Sequence, residues 1–191
     1  MATSTHSTHD AHSTTAGSGW STRRIAVTAL FCALSLITSF IEIPIFPPAP
    51  WLEYDPSCVV ALVAGLAFGP ATGAIVVVLS WLVHLVFQFS PWGVLMAIAA
   101  NVSLVVPCSL IARKLGGKRG LAAGMAVGAA ISLAVCIVMN LIVTPLYTAV
   151  TVDAVVAMIL PILVPFNVLK LALNCVLTAL VQGPVSKALA G

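Results

Sequence analysis

Residues 158–182, MILPILVPFNVLKLALNCVLTALVQ, are apolar over a length that crosses a bilayer, for which about 20 residues are needed. Lys170 lies near the middle of this stretch, with Asn167 and Asn174 one helical turn to either side. Residues three or four apart share one face of a helix, so the three polar side chains form a single stripe. A lysine at this depth costs roughly 2.5–3.5 kcal/mol on insertion scales. We therefore expect the stripe to face the protein interior or a watery cavity.

Two roles for Lys170 are compatible with this pattern. The amine can contact a ligand, or it can bond neighbouring carbonyls and extend towards the membrane surface. Pro161 and Pro165 lack the N–H of an ordinary helix residue, and they therefore free carbonyls near the start of the span. Both roles are open at this point.

The composition is that of a membrane protein. Hydrophobic residues make up 61% of the chain and charged residues 7%, whereas a soluble domain has about 25% charged residues. We predict an all-α polytopic membrane protein with six transmembrane helices. The five cysteines are scattered and form no C-x-x-C pair, so we interpret them as small apolar residues or free thiols and predict no metal site.

Six apolar segments define the predicted spans. Residues 42–56 are predicted to be a loop that prolines and acidic residues keep in water, and residues 144–157 a connector. Residues 1–22, rich in Ser, Thr and His, are interpreted as a disordered cytoplasmic tail, and residues 23–191 as the transmembrane domain. The predicted spans are 24–41, the short segment 57–69, 71–89, 94–112, 120–143 and 158–182.

The basic residues predict an orientation. With the N-terminus inside, every basic residue except Lys170 falls in the cytoplasm, as the positive-inside rule requires. We therefore predict a multi-pass plasma-membrane protein with both termini cytoplasmic. The cytoplasmic basic residues are Arg23, Arg24, Arg113, Lys114, Lys118, Arg119 and Lys187. The acidic residues predicted to lie outside are Glu42, Glu53, Asp55 and Asp153.

The predicted spans contain no acidic residue, which leaves Lys170 without an acidic partner. Proton- and sodium-coupled carriers usually need intramembrane carboxylates or unwound ion-binding segments. The sequence also lacks a G-x-x-x-x-G-K-[ST] loop and an H-E-x-x-H motif. We expect a non-enzymatic binding protein that obtains its energy from a partner. A stand-alone secondary transporter and a membrane enzyme that uses Lys170 with His84 are the alternatives.

Four sequence blocks in this order resemble a known family. From about residue 23 to residue 187, the chain resembles the S component of energy-coupling factor vitamin transporters, and in particular its riboflavin-binding subgroup. The resemblance implies a six-helix subunit that binds a vitamin from outside and docks on a transmembrane coupling protein with two ATPase subunits. It implies no nucleic-acid partner and no cofactor apart from riboflavin as the transported ligand. The blocks are EIPIFP at 42–47, LEYDPS at 52–57, ALVAGLAFGP at 61–70 and PFNVLK at 165–170.

The resemblance also implies functional residues. Docking in the family uses an alanine motif on the first helix, which Ala29 and Ala33 match. Their four-residue spacing forms a smooth strip that another helix can approach closely. Polar flavin contacts in the family come from an Asn on helix five and an Asn-x-x-Lys on helix six. The candidate substrate-binding residues are Asn140, Asn167 and Lys170 from that pattern, together with Asn101, Tyr54 and Trp92.

Two classes of vitamin are compatible with the predicted site. The edge of a flavin presents a carbonyl, an imide N–H and a second carbonyl, which amides and a lysine can satisfy. A buried lysine without an acidic partner instead favours an anionic ligand, so pantothenate or another acidic vitamin is the alternative. The sequence has Cys58-Val59-Val60 where the riboflavin subgroup often has a Ser-Asp-x-Pro run. The resemblance favours riboflavin.

Overall fold

The computed structural model describes residues 20–48 and 52–190. Most of the predicted tail, including its histidines, lies outside these residues. The described part is almost entirely helical. Its elements are α1 (Thr22–Ser39), α2 (Ser57–Phe68), α3 (Pro70–Phe87), α4 (Pro91–Leu115), α5 (Gly117–Tyr147), α6 (Val152–Met158), a π-helical turn (Ile159–Leu163) and α7 (Val164–Ala190).

The helices begin where the sequence supplies a cap or a proline. The Ser21 side chain accepts a hydrogen bond from the Arg24 backbone N–H at the start of α1. Pro70 and Pro91 occupy the first turns of α3 and α4, where a missing N–H costs nothing. Gly116 has φ of 68°, a left-handed conformation that favours glycine. It therefore ends α4 and allows a tight turn into α5.

Within residues 20–48 and 52–190, five helical segments are long and apolar enough to span a membrane. They are α1, α3, α4, α5 and the continuous stretch from Val152 to Lys187. The short span predicted at 57–69 corresponds to α2, which has 12 residues. At about 1.5 Å per residue, α2 is shorter than the hydrocarbon core. Eight of those residues are buried, so α2 is enclosed by its neighbours. The prediction of an all-helical membrane bundle is confirmed.

Small residues let the helices approach closely. A Cβ atom added at Gly73 on α3 would lie 2.8 Å from Gly65 Cα on α2. One added at Gly128 on α5 would lie 2.8 Å from the Leu104 carbonyl oxygen on α4. Such close backbone contacts are the kind favoured between membrane helices, and here they join α2 to α3 and α4 to α5.

The predicted connector at 144–157 is mostly helical. Helix α5 continues to Tyr147 and α6 begins at Val152, which leaves four non-helical residues between them. Pro145 lies inside α5. A proline suggests a helix end in a soluble protein, but membrane helices tolerate it because neighbouring groups satisfy the freed carbonyl. The prediction of a 14-residue connector was therefore wrong.

In the described part of the loop between α1 and α2, an antiparallel bridge joins Ile43 and Tyr54. The Ile43 N–H donates to the Tyr54 carbonyl at 2.9 Å, and the Tyr54 N–H donates to the Ile43 carbonyl at 2.8 Å. This bridge brings both ends of the loop to the end of the bundle where α1 and α3 terminate. At the opposite end, the Arg24 guanidinium donates to the Phe68 carbonyl at 3.2 Å and to the Thr72 hydroxyl at 3.0 Å. Arg24 thus places a positive charge at the end of the bundle opposite the loop.

Candidate ligand cavity

A cavity of about 420 Å³ lies at the loop end of the bundle. Ligand pockets typically have volumes of about 300–1,000 Å³, so this one is large enough for a small molecule. Its wall contains residues from α1, α3, α4, α5 and α7 and from the loop. The cavity is therefore formed jointly by these helices and the loop.

Four of the six predicted substrate-binding residues line this cavity: Asn101, Asn140, Asn167 and Lys170. Trp92 does not line it, and 38% of its surface is exposed. Tyr54 lies behind the wall, with 4% of its surface exposed. Its hydroxyl donates to the Asn174 side-chain oxygen at 3.2 Å, and Asn174 itself lines the cavity.

Lys170 has an acidic partner. Its Nζ lies 3.1 Å from Asp55 Oδ2, in a salt bridge between residues 115 positions apart. Asp55 is 5% exposed, so the predictions that it lies in water and that Lys170 lacks an acidic partner were wrong. The sequence-based prediction considered only residues inside the spans, whereas Asp55 comes from the loop, which folds back onto α7.

The Asp55 carboxylate is held on its other side as well. Oδ1 accepts hydrogen bonds from the Ser57 backbone N–H at 3.2 Å and from the Ser57 hydroxyl. Ser57 is the first residue of α2, where the unpaired N–H groups of the helix favour a negative charge. The pKa of Tyr54 is raised to about 12, mainly by burial and further by electrostatic interactions with Asp55 and the nearby Cys58. Tyr54 is therefore a protonated donor at neutral pH.

Two of the cavity asparagines are anchored to their own helices. Asn140 Nδ2 donates to the Cys136 carbonyl at 2.8 Å, and Asn167 Nδ2 donates to the Leu163 carbonyl at 2.8 Å. Leu163 is the last residue of the π-helical turn, so Asn167 bonds a carbonyl in the region where prolines disrupt the helix. Among the described residues, the hydrogen bond of Lys170 goes to Asp55 and not to such a carbonyl, so the alternative role of Lys170 is not seen there.

Asn101 has a different environment. It is 4% exposed, and its side chain has no hydrogen-bond partner within the described ranges. Its amide atoms are not among the fully buried unpaired polar atoms of the described residues, so they are accessible from the cavity. Because Asn101 lines the cavity, a bound ligand or water there is its available partner.

A second polar face was missed in part by the sequence-based prediction. Trp81 and His84 on α3 and Gln88, the residue that follows α3, all line the cavity, and they have the same spacing as Asn167, Lys170 and Asn174. His84 Nδ1 lies 2.7 Å from the Ser39 hydroxyl, and its ring stacks on Phe40 with centroids 4.7 Å apart. His84 is thus hydrogen-bonded to Ser39 and packed against Phe40. The three- and four-residue spacing from Trp81 to His84 and Gln88 was the signal that could have found Trp81.

Acidic side chains surround the mouth of the cavity. Glu42 and Glu53 line it next to Asp55. Burial raises the pKa of Glu42, and the charge of Glu53, a hydrogen bond to it and the charge of Asp55 act in the same direction. The mouth therefore has a negative potential, while Lys170 lies deeper in the wall.

Comparisons with known proteins identify the bundle. A family described as the substrate-specific component of ECF transporters matches residues 23–182. The chain belongs to this family. Its fold is similar to a solved S component of a bacterial ECF transporter, with a TM-score of 0.76, 25% sequence identity, and coverage of 87% of this chain and 97% of that one. A search of curated proteins finds no match.

S components are the substrate-binding subunits of these transporters, and they work with a module composed of a coupling protein and ATPases. They are not ATPases themselves. The cavity is thus the candidate substrate site of an S component in a multi-pass membrane protein.

Proposed function

We propose that this S component binds riboflavin in the cavity at the loop end of the bundle and that a partner ATPase module drives its uptake. One observation carries the proposal. Asn140, Asn167 and Lys170, onto which the flavin contacts of the riboflavin subgroup fall, line a single cavity large enough for a small ligand.

The wall is complementary to the polar edge of a flavin. Each asparagine amide offers both donors and an acceptor, and a lysine offers three donors. Asn140 and Asn167 each use one amide N–H on their own helix, which fixes the orientation of the rest of the group. The remaining groups can pair with a carbonyl, an imide N–H and a second carbonyl. Leaving such ligand groups unpaired would cost about 1–3 kcal/mol each.

We also propose that the cavity opens to the outside of the cell. The exposed basic residues of the α4–α5 turn lie at the opposite end of the bundle from the acidic mouth, as the positive-inside rule requires for a cytoplasmic turn. Single cysteines introduced at Glu53 and Asp153 should react with an impermeant thiol reagent added to intact cells. A cysteine at Lys118 should not, and its labelling would reverse the proposed orientation.

Riboflavin binding can be tested on the purified full chain in detergent. The protein should purify with a yellow flavin absorption spectrum or, after removal of the flavin, quench riboflavin fluorescence at one equivalent. Excess pantothenate should not displace the flavin. A protein that binds pantothenate and leaves riboflavin fluorescence unchanged would refute the riboflavin assignment and keep the S-component role.

A further inference from the structure

We propose that Asp55 sets the charge preference of the cavity, so that the site accepts an uncharged ligand and rejects an anionic one. This inference rests on the proposed binding of a flavin in the same cavity. It adds a specificity-determining residue, contributed by the loop, that makes no contact required for recognition of the flavin edge.

The first step is the state of Lys170. Its amine donates one hydrogen bond to Asp55 at 3.1 Å, and both side chains are largely buried, with 18% of Lys170 and 7% of Asp55 exposed. An ammonium group has three donors, so two remain for a ligand. Those two can serve neutral carbonyls, because the positive charge is already balanced by the carboxylate.

The second step is the state of Asp55. Oδ2 faces Lys170, and Oδ1 accepts from both the N–H and the hydroxyl of Ser57. Both carboxylate oxygens are therefore occupied by groups of the protein. Asp55 acts on a ligand through its charge, and it does not provide a counter-ion for a cationic ligand.

The third step is the sum of charges around the cavity. Within the described ranges, the cavity is lined by the salt-bridged pair Asp55 and Lys170, whose charges balance, and by Glu42 and Glu53, which still contribute a negative charge when they share one proton in the hydrogen bond between them. A carboxylate or phosphate on the ligand would add a further negative charge to this wall. Asp55 and Lys170 are largely buried, where charges interact more strongly than in bulk water, whereas Glu42 and Glu53 are exposed and act more weakly on a ligand. Removing Asp55 would both reduce the negative charge and release the ammonium to pair with an anion.

The test compares two ligands with one ring system. Riboflavin is uncharged, and flavin mononucleotide is the same molecule with a phosphate ester. The measured quantity is the dissociation constant of flavin mononucleotide divided by that of riboflavin, both from fluorescence quenching with the purified full chain. This ratio cancels any general loss of binding that a substitution causes. The wild type should favour riboflavin.

Asp55→Asn keeps the shape of the side chain and removes its charge. We expect it to lower the ratio at least about tenfold, because a unit charge within the cavity acts over a few ångströms. Asp153→Asn is the matched control, since Asp153 is exposed and outside the cavity wall. It should leave the ratio unchanged.

If Asp55→Asn alone fails to fold, the charge of Asp55 is tested in a Lys170→Met background. Adding Asp55→Asn there should lower the ratio about tenfold, and an equal ratio with and without it would refute the role of Asp55. Asp55→Asn with Lys170→Met removes both charges, which proteins often tolerate better than removal of one. The cavity then has its original net charge, and the ratio should stay within about threefold of the wild-type value.

The outcomes separate the two proposals. A wild-type protein without affinity for riboflavin refutes the proposed function and this inference together. A wild type that binds riboflavin while Asp55→Asn keeps the wild-type ratio refutes the role of Asp55 alone. The same holds if the double variant lowers the ratio as much as Asp55→Asn does, because the ratio would then not follow the charge.

Discussion

Helix α7 turns polar side chains towards the cavity, whereas α1 turns small side chains away from the protein. Lys170 and Asn174 are involved in contacts with the loop. Ala29 and Ala33 are exposed, and the large apolar residues Ile25 and Ile37 on the same helix are 55% and 63% exposed. A polar stripe on a membrane helix requires a partner inside the protein, and a smooth stripe permits one outside it. The two helices therefore predict separable functions, binding on α7 and docking on α1.

The largest expected effect is on α1. Ala29→Trp or Ala33→Trp should abolish riboflavin uptake in cells that contain the partner module, because a bulky side chain holds another helix away. Riboflavin binding by the isolated protein should stay within about twofold of wild type, since neither residue lines the cavity.

The matched control is Ala172→Trp, the same substitution on the exposed side of α7. It should reduce uptake little. If uptake were lost equally in all three variants, the α1 strip would have no special docking role. If binding were lost together with uptake, the strip would contribute to folding.

The second prediction concerns Lys170. Lys170→Ala should weaken riboflavin binding by about 10- to 150-fold, since a hydrogen bond to a charged group is worth about 1.5–3 kcal/mol. It should also lower the melting temperature, because Asp55 is left buried without its partner, a change that typically costs about 3–5 kcal/mol. The sequence alone predicts that this substitution does not unfold the protein, because it shows Lys170 as an unpaired charge whose removal relieves a desolvation cost.

The double variant Asp55→Asn with Lys170→Ala separates these two effects. It should recover most of the lost thermal stability and none of the lost affinity. Recovery of riboflavin affinity in the double variant would mean that Lys170 serves only to balance Asp55. An unchanged affinity in Lys170→Ala itself would remove the centre of the proposed site.

The sequence predicts the helices and the α7 stripe well for a physical reason. Both are local patterns: an apolar run long enough to span a bilayer, and a three- and four-residue spacing on one helix. The predicted start of the first span, residue 24, differs by two residues from the observed start at Thr22. The α3 face was only partly predicted, because Trp81 is apolar enough to be read as a packing residue.

The salt bridge between Asp55 and Lys170 could not be predicted from such patterns. It joins a loop to a helix across 115 positions, and it depends on the Ile43–Tyr54 bridge that turns the loop back. Local spacing indicates which helix face is polar, but it does not indicate which loop residue meets that face. The acidic partner of Lys170 was therefore missed, and its presence removes the premise of the charge argument that favoured an anionic vitamin.

The third prediction concerns Asn167, whose neutral amide should contribute less than the lysine. Asn167→Ala should weaken riboflavin binding by about 2- to 12-fold, since an uncharged hydrogen bond is worth about 0.5–1.5 kcal/mol. Gln182→Ala, which lies near the far end of the same helix and outside the cavity, is the control. Equal effects of the two substitutions on affinity would show that Asn167 makes no ligand contact.

The smallest effect is expected at Tyr54, which the sequence places among the substrate contacts and the structure places behind the wall. Tyr54→Phe removes the hydroxyl that donates to Asn174 at 3.2 Å and leaves that buried amide oxygen unpaired, at a cost of about 1–3 kcal/mol in stability. Riboflavin affinity should change less than about twofold, because the ring remains and the loop still pairs through Asp55. Melting temperature and fluorescence quenching measure the two quantities.

The other tyrosine, Tyr147, is 50% exposed, and Tyr147→Phe should alter neither the melting temperature nor the riboflavin affinity. A tenfold loss of affinity in Tyr54→Phe without a loss of stability would place its hydroxyl on the ligand, and the polar stripe of α7 would then extend directly into the loop.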